Sequence, residues 1–209
     1  TCKIQEEMKT LIYGGTFNPP HIGHVRAAEA FSKQMQLDEL LIIPDYIPPH
    51  KDYVGCVSAA DRLNMCRIAF SNVDKAVVSD MEIKRGGRSY TYITLEELKS
   101  DDCELYLLVG TDMFITLDSW VHPERIFNTA DICYIRRESD IEKTQIIQEK
   151  IGQYIEKFGA RVFSIDAFVT EISSTELRQL IVSDSANGQS CGNFQFFRTV
   201  SGDNTLSEP

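Results

Sequence analysis

The stretch Lys9-Thr10-Leu11-Ile12-Tyr13-Gly14-Gly15-Thr16-Phe17-Asn18-Pro19-Pro20-His21-Ile22-Gly23-His24 decides the fold. Its first five residues form a short apolar run that reads as a buried strand, which stops at a Gly14-Gly15 turn. From His21 onward Val25, Ala28, Phe31 and Met35 recur at helical spacing, while Arg26, Glu29 and Lys33 fall largely on another face. Two glycines let phosphate oxygens approach the backbone, and a helix start adds positive potential that favours an anion. His21 and His24 share one face if both lie on the opening turn, and both can donate to phosphate oxygens. The pattern is neither the GxGxxG dinucleotide fingerprint nor a P-loop. On this stretch alone, histidines that merely cap the helix remain an open alternative.

Working outward, strand and helix patterns alternate. Glu39 to Pro44 reads as a strand and Asp45 to Val57 as a loop holding Pro48, Pro49 and Gly55. Ser58 suits a helix cap, with Asp61 three residues on. Ala76 to Met81 is β-rich, Thr91 to Leu98 is helical in pattern, and Glu104 to Val109 is an apolar strand ending at Gly110. Ile132 to Ile135 repeats the strand signal. Ile147, Ile151, Tyr154, Ile155 and Phe158 line one face of an amphipathic helix, and Arg161 to Ile165 is the last clear strand. This alternation predicts an α/β fold, a Rossmann-like doubly wound parallel sheet with helices on both faces and ligands beyond the carboxyl ends of its strands. Residues 1–182 read as one domain, and 183–209 as a polar tail with an apolar cluster at Phe194, Phe196 and Phe197.

Composition narrows the partners. A net charge of −10 disfavours broad attraction to nucleic acid or an anionic membrane, so an anionic ligand must be held by a local basic cluster. Thr1 to Thr10 lacks the pattern of a signal peptide, and no window approaches membrane-span length, which leads to the expectation of a cytoplasmic protein. The cysteines at 2, 56, 66, 103, 133 and 191 form no CxxC pair, and read as reduced thiols with no metal framework. A homo-oligomer stays open.

A second anion-binding signal is Glu171-Ile172-Ser173-Ser174-Thr175-Glu176-Leu177-Arg178. Ser173 or Ser174 can cap a helix whose exposed N–H groups take a phosphate, with Arg178 one turn further along the same face. An ordinary capped helix with a solvated Arg178 is the alternative.

Together, the glycine turn with His-Ile-Gly-His and the Ile-Ser-Ser-Thr-x-x-Arg segment resemble the nucleotidylyltransferase superfamily. Three further stretches resemble its bacterial nicotinate-nucleotide adenylyltransferase branch: Pro48-Pro49-His50-Lys51, Ser89-Tyr90-Thr91-Tyr92-Ile93-Thr94-Leu95, and Gly110-Thr111-Asp112 followed by Trp120. The resemblance spans residues 10–182. It implies transfer of AMP from ATP to nicotinate mononucleotide, giving deamido-NAD and pyrophosphate in NAD biosynthesis. It places Gly14, Gly15, Thr16 and Phe17 against the nucleotide, and His21 and His24 on the ATP phosphates. Lys51 and Arg136 would lie near phosphate, Gly110 and Asp112 would hold adenosine, and Ile172, Ser173, Ser174, Thr175 and Arg178 would surround the β- and γ-phosphates. Tyr90 and Thr91 would offer backbone groups to the pyridine carboxylate, with Trp120 stacked near the ring. The sequence departs from the family pattern at Asn18, where aspartate is common, at Arg137-Glu138, and throughout 183–209.

The implied chemistry is direct in-line attack by the mononucleotide phosphate on the α-phosphorus of ATP. The attacking phosphate is already ionised near neutral pH, so the protein's task is to align two polyanions and relieve their repulsion. Mg²⁺ is expected, carried mainly by the ATP phosphates, with no dedicated carboxylate cage. His24 is the candidate nearest the transferred phosphorus, with His21, Ser174 and Arg178 on the leaving pyrophosphate. Other acceptors, nicotinamide mononucleotide or phosphopantetheine, and a non-catalytic nucleotide-binding regulator are the competing readings.

Overall fold

Along β1 (Met8–Gly15) Leu11 packs into one core cluster and Ile12 into a second, because successive side chains of a strand point to opposite faces of its sheet. The same split recurs along β2 (Glu39–Pro44), with Leu40 and Ile42 against Leu41 and Ile43, and along β4 (Cys103–Gly110), with Tyr106 and Leu108 against Leu105, Leu107 and Val109. Strands apolar on both faces belong in the middle of a sheet covered twice. The structure, a computed structural model, describes residues 7–49, 57–136, 143–166 and 174. Its six strands, completed by β3 (Ala76–Val78), β5 (Asp131–Arg136) and β6 (Val162–Asp166), pair in parallel in the order β3-β2-β1-β4-β5-β6.

One face is covered by α1 (Ile22–Met35) and α2 (Ala59–Ala69), which contribute Val25, Ala28, Phe31, Cys66 and Ala69 to the first cluster. The other is covered by α4 (Thr91–Leu98), α5 (Thr111–Ile115), α6 (Pro123–Thr129) and α7 (Thr144–Phe158) through Leu95, Phe114, Phe127, Ile147 and Tyr154. Phe31 is fully buried, and its loss to alanine would cost about 3–5 kcal/mol. Cys66, Cys103 and Cys133 are free, and burial pushes the thiols of Cys66 and Cys133 upward, holding them protonated and inert.

Three expectations change. Gly14 and Gly15 are strand residues, paired with Ile43 and Pro44 of β2, and the Asp45 N–H donates to the Gly15 carbonyl at 3.0 Å. The turn is therefore made by the next residues, with Phe17 at φ 45° and a cis Asn18–Pro19 bond. Strand β3 stops at Val78 rather than reaching Met81. The Ser79 N–H makes the last bond to Ile42 at 2.9 Å, and α3 (Met81–Arg85) follows, burying Glu82 among polar partners. Ile155 is 52% exposed and lies off the packed face of α7, one position round from Tyr154.

Candidate active site

The sheet order reverses between β1 and β4. Pairing there stops at Ile12↔Leu107, three residues short of Gly15 and Gly110, and the chain leaves β1 for α1 on one face and β4 for α5 on the other. This opens the crevice in which doubly wound sheets bind ligands.

The turn from Thr16 to His24 forms one wall. His21 is the N-cap of α1 in extended conformation, and its carbonyl accepts from the N–H groups of His24 at 2.8 Å and Val25 at 3.3 Å. The His21 N–H in turn donates to Nδ1 of His24 at 3.1 Å. An accepting Nδ1 leaves the ring proton on Nε2, so this bond sets the tautomer in which His24 is a donor. The two imidazoles lie 3.7 Å apart between ring centroids, and the Phe17 ring meets His24 edge-on at 5.1 Å. His21 is 6% exposed and His24 half-buried, so the more accessible ring is that of His24. Both histidines thus sit on the opening turn as their spacing predicts.

Ser174 joins the same wall. Its Oγ donates to the carbonyl of Pro19 at 2.9 Å, bringing the second sequence signal against the first. Ile172, Ser173, Thr175, Arg178 and Lys51 lie outside the described residues, as does the side chain of Arg136.

Beneath the turn lies a network that sequence reading missed. Arg62 has no solvent exposure, and its Nη1 donates to the Thr16 carbonyl and to Oδ1 of Asp45, both at 2.8 Å. Its Nη2 reaches the Tyr46 carbonyl at 3.0 Å, while Thr16 Oγ1 donates to Asp45 Oδ2 at 2.9 Å. A paired guanidinium and carboxylate therefore clamp the turn to the end of β2. The available signal was that Arg62 shares a helix face with Cys66 and Ala69, a position where a solvated arginine has no place.

The opposite wall carries the remaining candidates. Gly110 is the N-cap of α5. Asp112 makes no cap bond there; its carboxylate is 69% exposed and pairs with Lys143 at 2.7 Å. The Thr111 hydroxyl donates to the Ile135 carbonyl at 2.8 Å, tying the ends of β4 and β5 together. Trp120 is half-buried and packs on the second core cluster after a 3-10 turn at Leu117–Ser119. Tyr90 is the N-cap of α4, and helix geometry gives the first-turn N–H groups of Thr91 and Tyr92 no intrahelical acceptor. The Tyr92 ring is held between His122, edge-on at 4.8 Å, and the Arg125 guanidinium at 4.3 Å.

The family described as cytidylyltransferase-like matches residues 12–180. A protein of Desulfatibacillum aliphaticivorans is 40% identical over 148 residues, covering 71% of this chain and 68% of its own length, and one of Geobacter sp. (strain M21) is 36% identical over 188 residues, covering 83% and 87%. Both carry the description "probable nicotinate-nucleotide adenylyltransferase". Among solved structures, the Plasmodium falciparum nicotinic acid mononucleotide adenylyltransferase complexed with NaAD superposes with a TM-score of 0.66 at 21% identity, covering 86% of this chain and 89% of its own. The same enzyme complexed with APC gives 0.64 at 22% identity, with 82% and 83% covered. At that identity the structures speak for the shared fold. With a family match over most of its length and relatives at this level of identity, the chain belongs to the cytidylyltransferase-like family, in its nicotinate-nucleotide adenylyltransferase branch.

Proposed function

We propose that the protein transfers AMP from ATP to nicotinate mononucleotide, forming deamido-NAD and pyrophosphate. The observation that carries this reading is the Ser174–Pro19 bond, which joins the two anion-binding signals at the mouth of one crevice. The names borne by its relatives support the choice of acceptor.

In this reaction a phosphate oxygen of the mononucleotide forms a bond to the α-phosphorus of ATP as the bond to the bridging oxygen breaks. Pyrophosphate leaves with that electron pair. The turn from Thr16 to His24 would hold the triphosphate, with His24 donating through Nε2 where charge develops. His21, Ser174 and Arg178 would face the departing pyrophosphate. The first turn of α4 would receive the pyridine carboxylate on its unbonded N–H groups, aided by the helix dipole. Trp120 would lie by the ring.

Both oxygens of Asp45, the carboxylate beneath the turn, are engaged by Arg62 and Thr16. A Mg²⁺ ion would then be carried by the triphosphate and water, where it would neutralise phosphate charge. A cytoplasmic location suits soluble substrates of this kind, and no helix among the described residues is long and apolar enough to cross a membrane.

The test is pyrophosphate release from ATP with nicotinate mononucleotide, nicotinamide mononucleotide or phosphopantetheine as acceptor. Turnover confined to the first supports the proposal. Binding of ATP without release from any of the three would overturn it.

A further inference from the structure

The two walls of the crevice come from distant parts of the chain, yet a continuous path of hydrogen-bonded polar groups connects them. It begins at Thr16, bonded to Asp45 and Arg62, and passes from Arg62 to the Tyr46 carbonyl. The Tyr46 N–H donates to Ser89 Oγ at 2.9 Å, and the buried Glu82 carboxylate accepts from the Thr94 hydroxyl. The Ser89 N–H donates to the Ile47 carbonyl at 2.9 Å. Ser89 is 6% exposed and immediately precedes Tyr90 and Thr91.

We propose that Ser89 is a positioning residue, whose hydroxyl sets the spacing between the triphosphate turn and the acceptor segment at the start of α4. This rests on the function proposed above. The Ser89 hydroxyl oxygen accepts from the Tyr46 N–H, which no apolar side chain of that size can do. Ser89 is buried, so its role is to position its neighbours rather than to bind. It acts through the loop from Asp45 to Ile47, which is clamped to Thr16 at one end and to Ser89, just before α4, at the other. In-line transfer between two bound polyanions depends steeply on their separation, and a shift of about 1 Å costs on the order of 100-fold in rate.

The experiment is steady-state pyrophosphate release from ATP and nicotinate mononucleotide by the full chain, its Ser89→Ala variant and its Ser89→Thr variant. With alanine, kcat should fall at least about tenfold while the KM for ATP stays within about twofold, and threonine, which keeps the hydroxyl, should restore most of kcat. An alanine variant within about twofold of the parent in kcat would overturn the inference, as would equal losses in the alanine and threonine variants. Should alanine fail to fold, Ser89→Cys takes its place with the same outcomes, since a thiol is close in size but a poor hydrogen-bonding group. A parent chain that releases no pyrophosphate from this pair would remove the proposed function itself, whereas an active parent with an unaffected variant removes only the role of Ser89.

Discussion

The Ser174 hydroxyl lies 2.9 Å from the carbonyl oxygen of Pro19, a contact between segments 155 residues apart in the chain. A single neutral hydrogen bond contributes about 1 kcal/mol, or about fivefold in an equilibrium constant. Ser174→Ala should therefore raise the KM for ATP about fivefold while leaving that for the mononucleotide unchanged. An unchanged ATP KM would separate Ser174 from the triphosphate site.

His24 offers a test that divides folding from turnover. In His24→Asn the amide oxygen can replace Nδ1 as acceptor of the His21 N–H, while nothing replaces the Nε2 donor. Turnover should fall about 100-fold or more, as for loss of one donor at a developing charge, with the urea midpoint close to that of the parent. Near-normal turnover in this variant would exclude the role given to His24.

Arg62 tests the clamp beneath the turn. Its removal leaves the buried Asp45 carboxylate without its cation, so Arg62→Ala should lose about 3–5 kcal/mol in urea unfolding. Arg62→Ala combined with Asp45→Asn should lose less than the sum of the two single changes, because the second removes the stranded charge. Strict additivity would mean that the pair is not coupled.

Glu82 gives a pH dependence of defined sign. Burial raises its carboxyl above the ordinary glutamate value, with bonds from Thr94 and Ser89 and the Arg85 charge opposing the shift and Asp45 adding to it. The native state thus binds the proton more tightly than the unfolded chain. The stability this group contributes is present below the ordinary glutamate value and is lost as pH rises through the window up to the raised one. Glu82→Gln cannot titrate, so its stability relative to the parent should climb across that window and then level off. Urea unfolding of both proteins from acid to neutral pH measures the difference, and parallel curves would contradict the shift.

Trp120 is the only tryptophan, so its fluorescence reports one place. Nicotinate mononucleotide should change its intensity, and ATP alone should not. An indole that ignores the mononucleotide serves the core it packs on rather than the pyridine ring.

Most of the architecture was legible because strands apolar on both faces and a helix with Val25, Ala28 and Phe31 at helical spacing leave few ways to bury their surface. The candidate phosphate-binding motif was legible for a similar reason: a cap and its third residue are local partners, so His21 and His24 had to meet once a helix began there. Other features were hidden by the same logic. Gly14 and Gly15 look like a turn, yet β2 pairs with them to the end, and the bend falls on Phe17 and Pro19. Arg62 shares a buried helix face with Cys66 and Ala69, and only the convergence of Thr16, Asp45 and Tyr46 around it makes burial tolerable. The sequence by itself determined the six strands, the longer helices and the candidate residues for holding phosphate, all of which follow from spacing within a few turns of chain. The tertiary structure alone decided that Ser174 meets Pro19 and that Ser89 meets Tyr46, since such contacts exist only after the sheet closes and each buried polar group must find a partner from a distant segment.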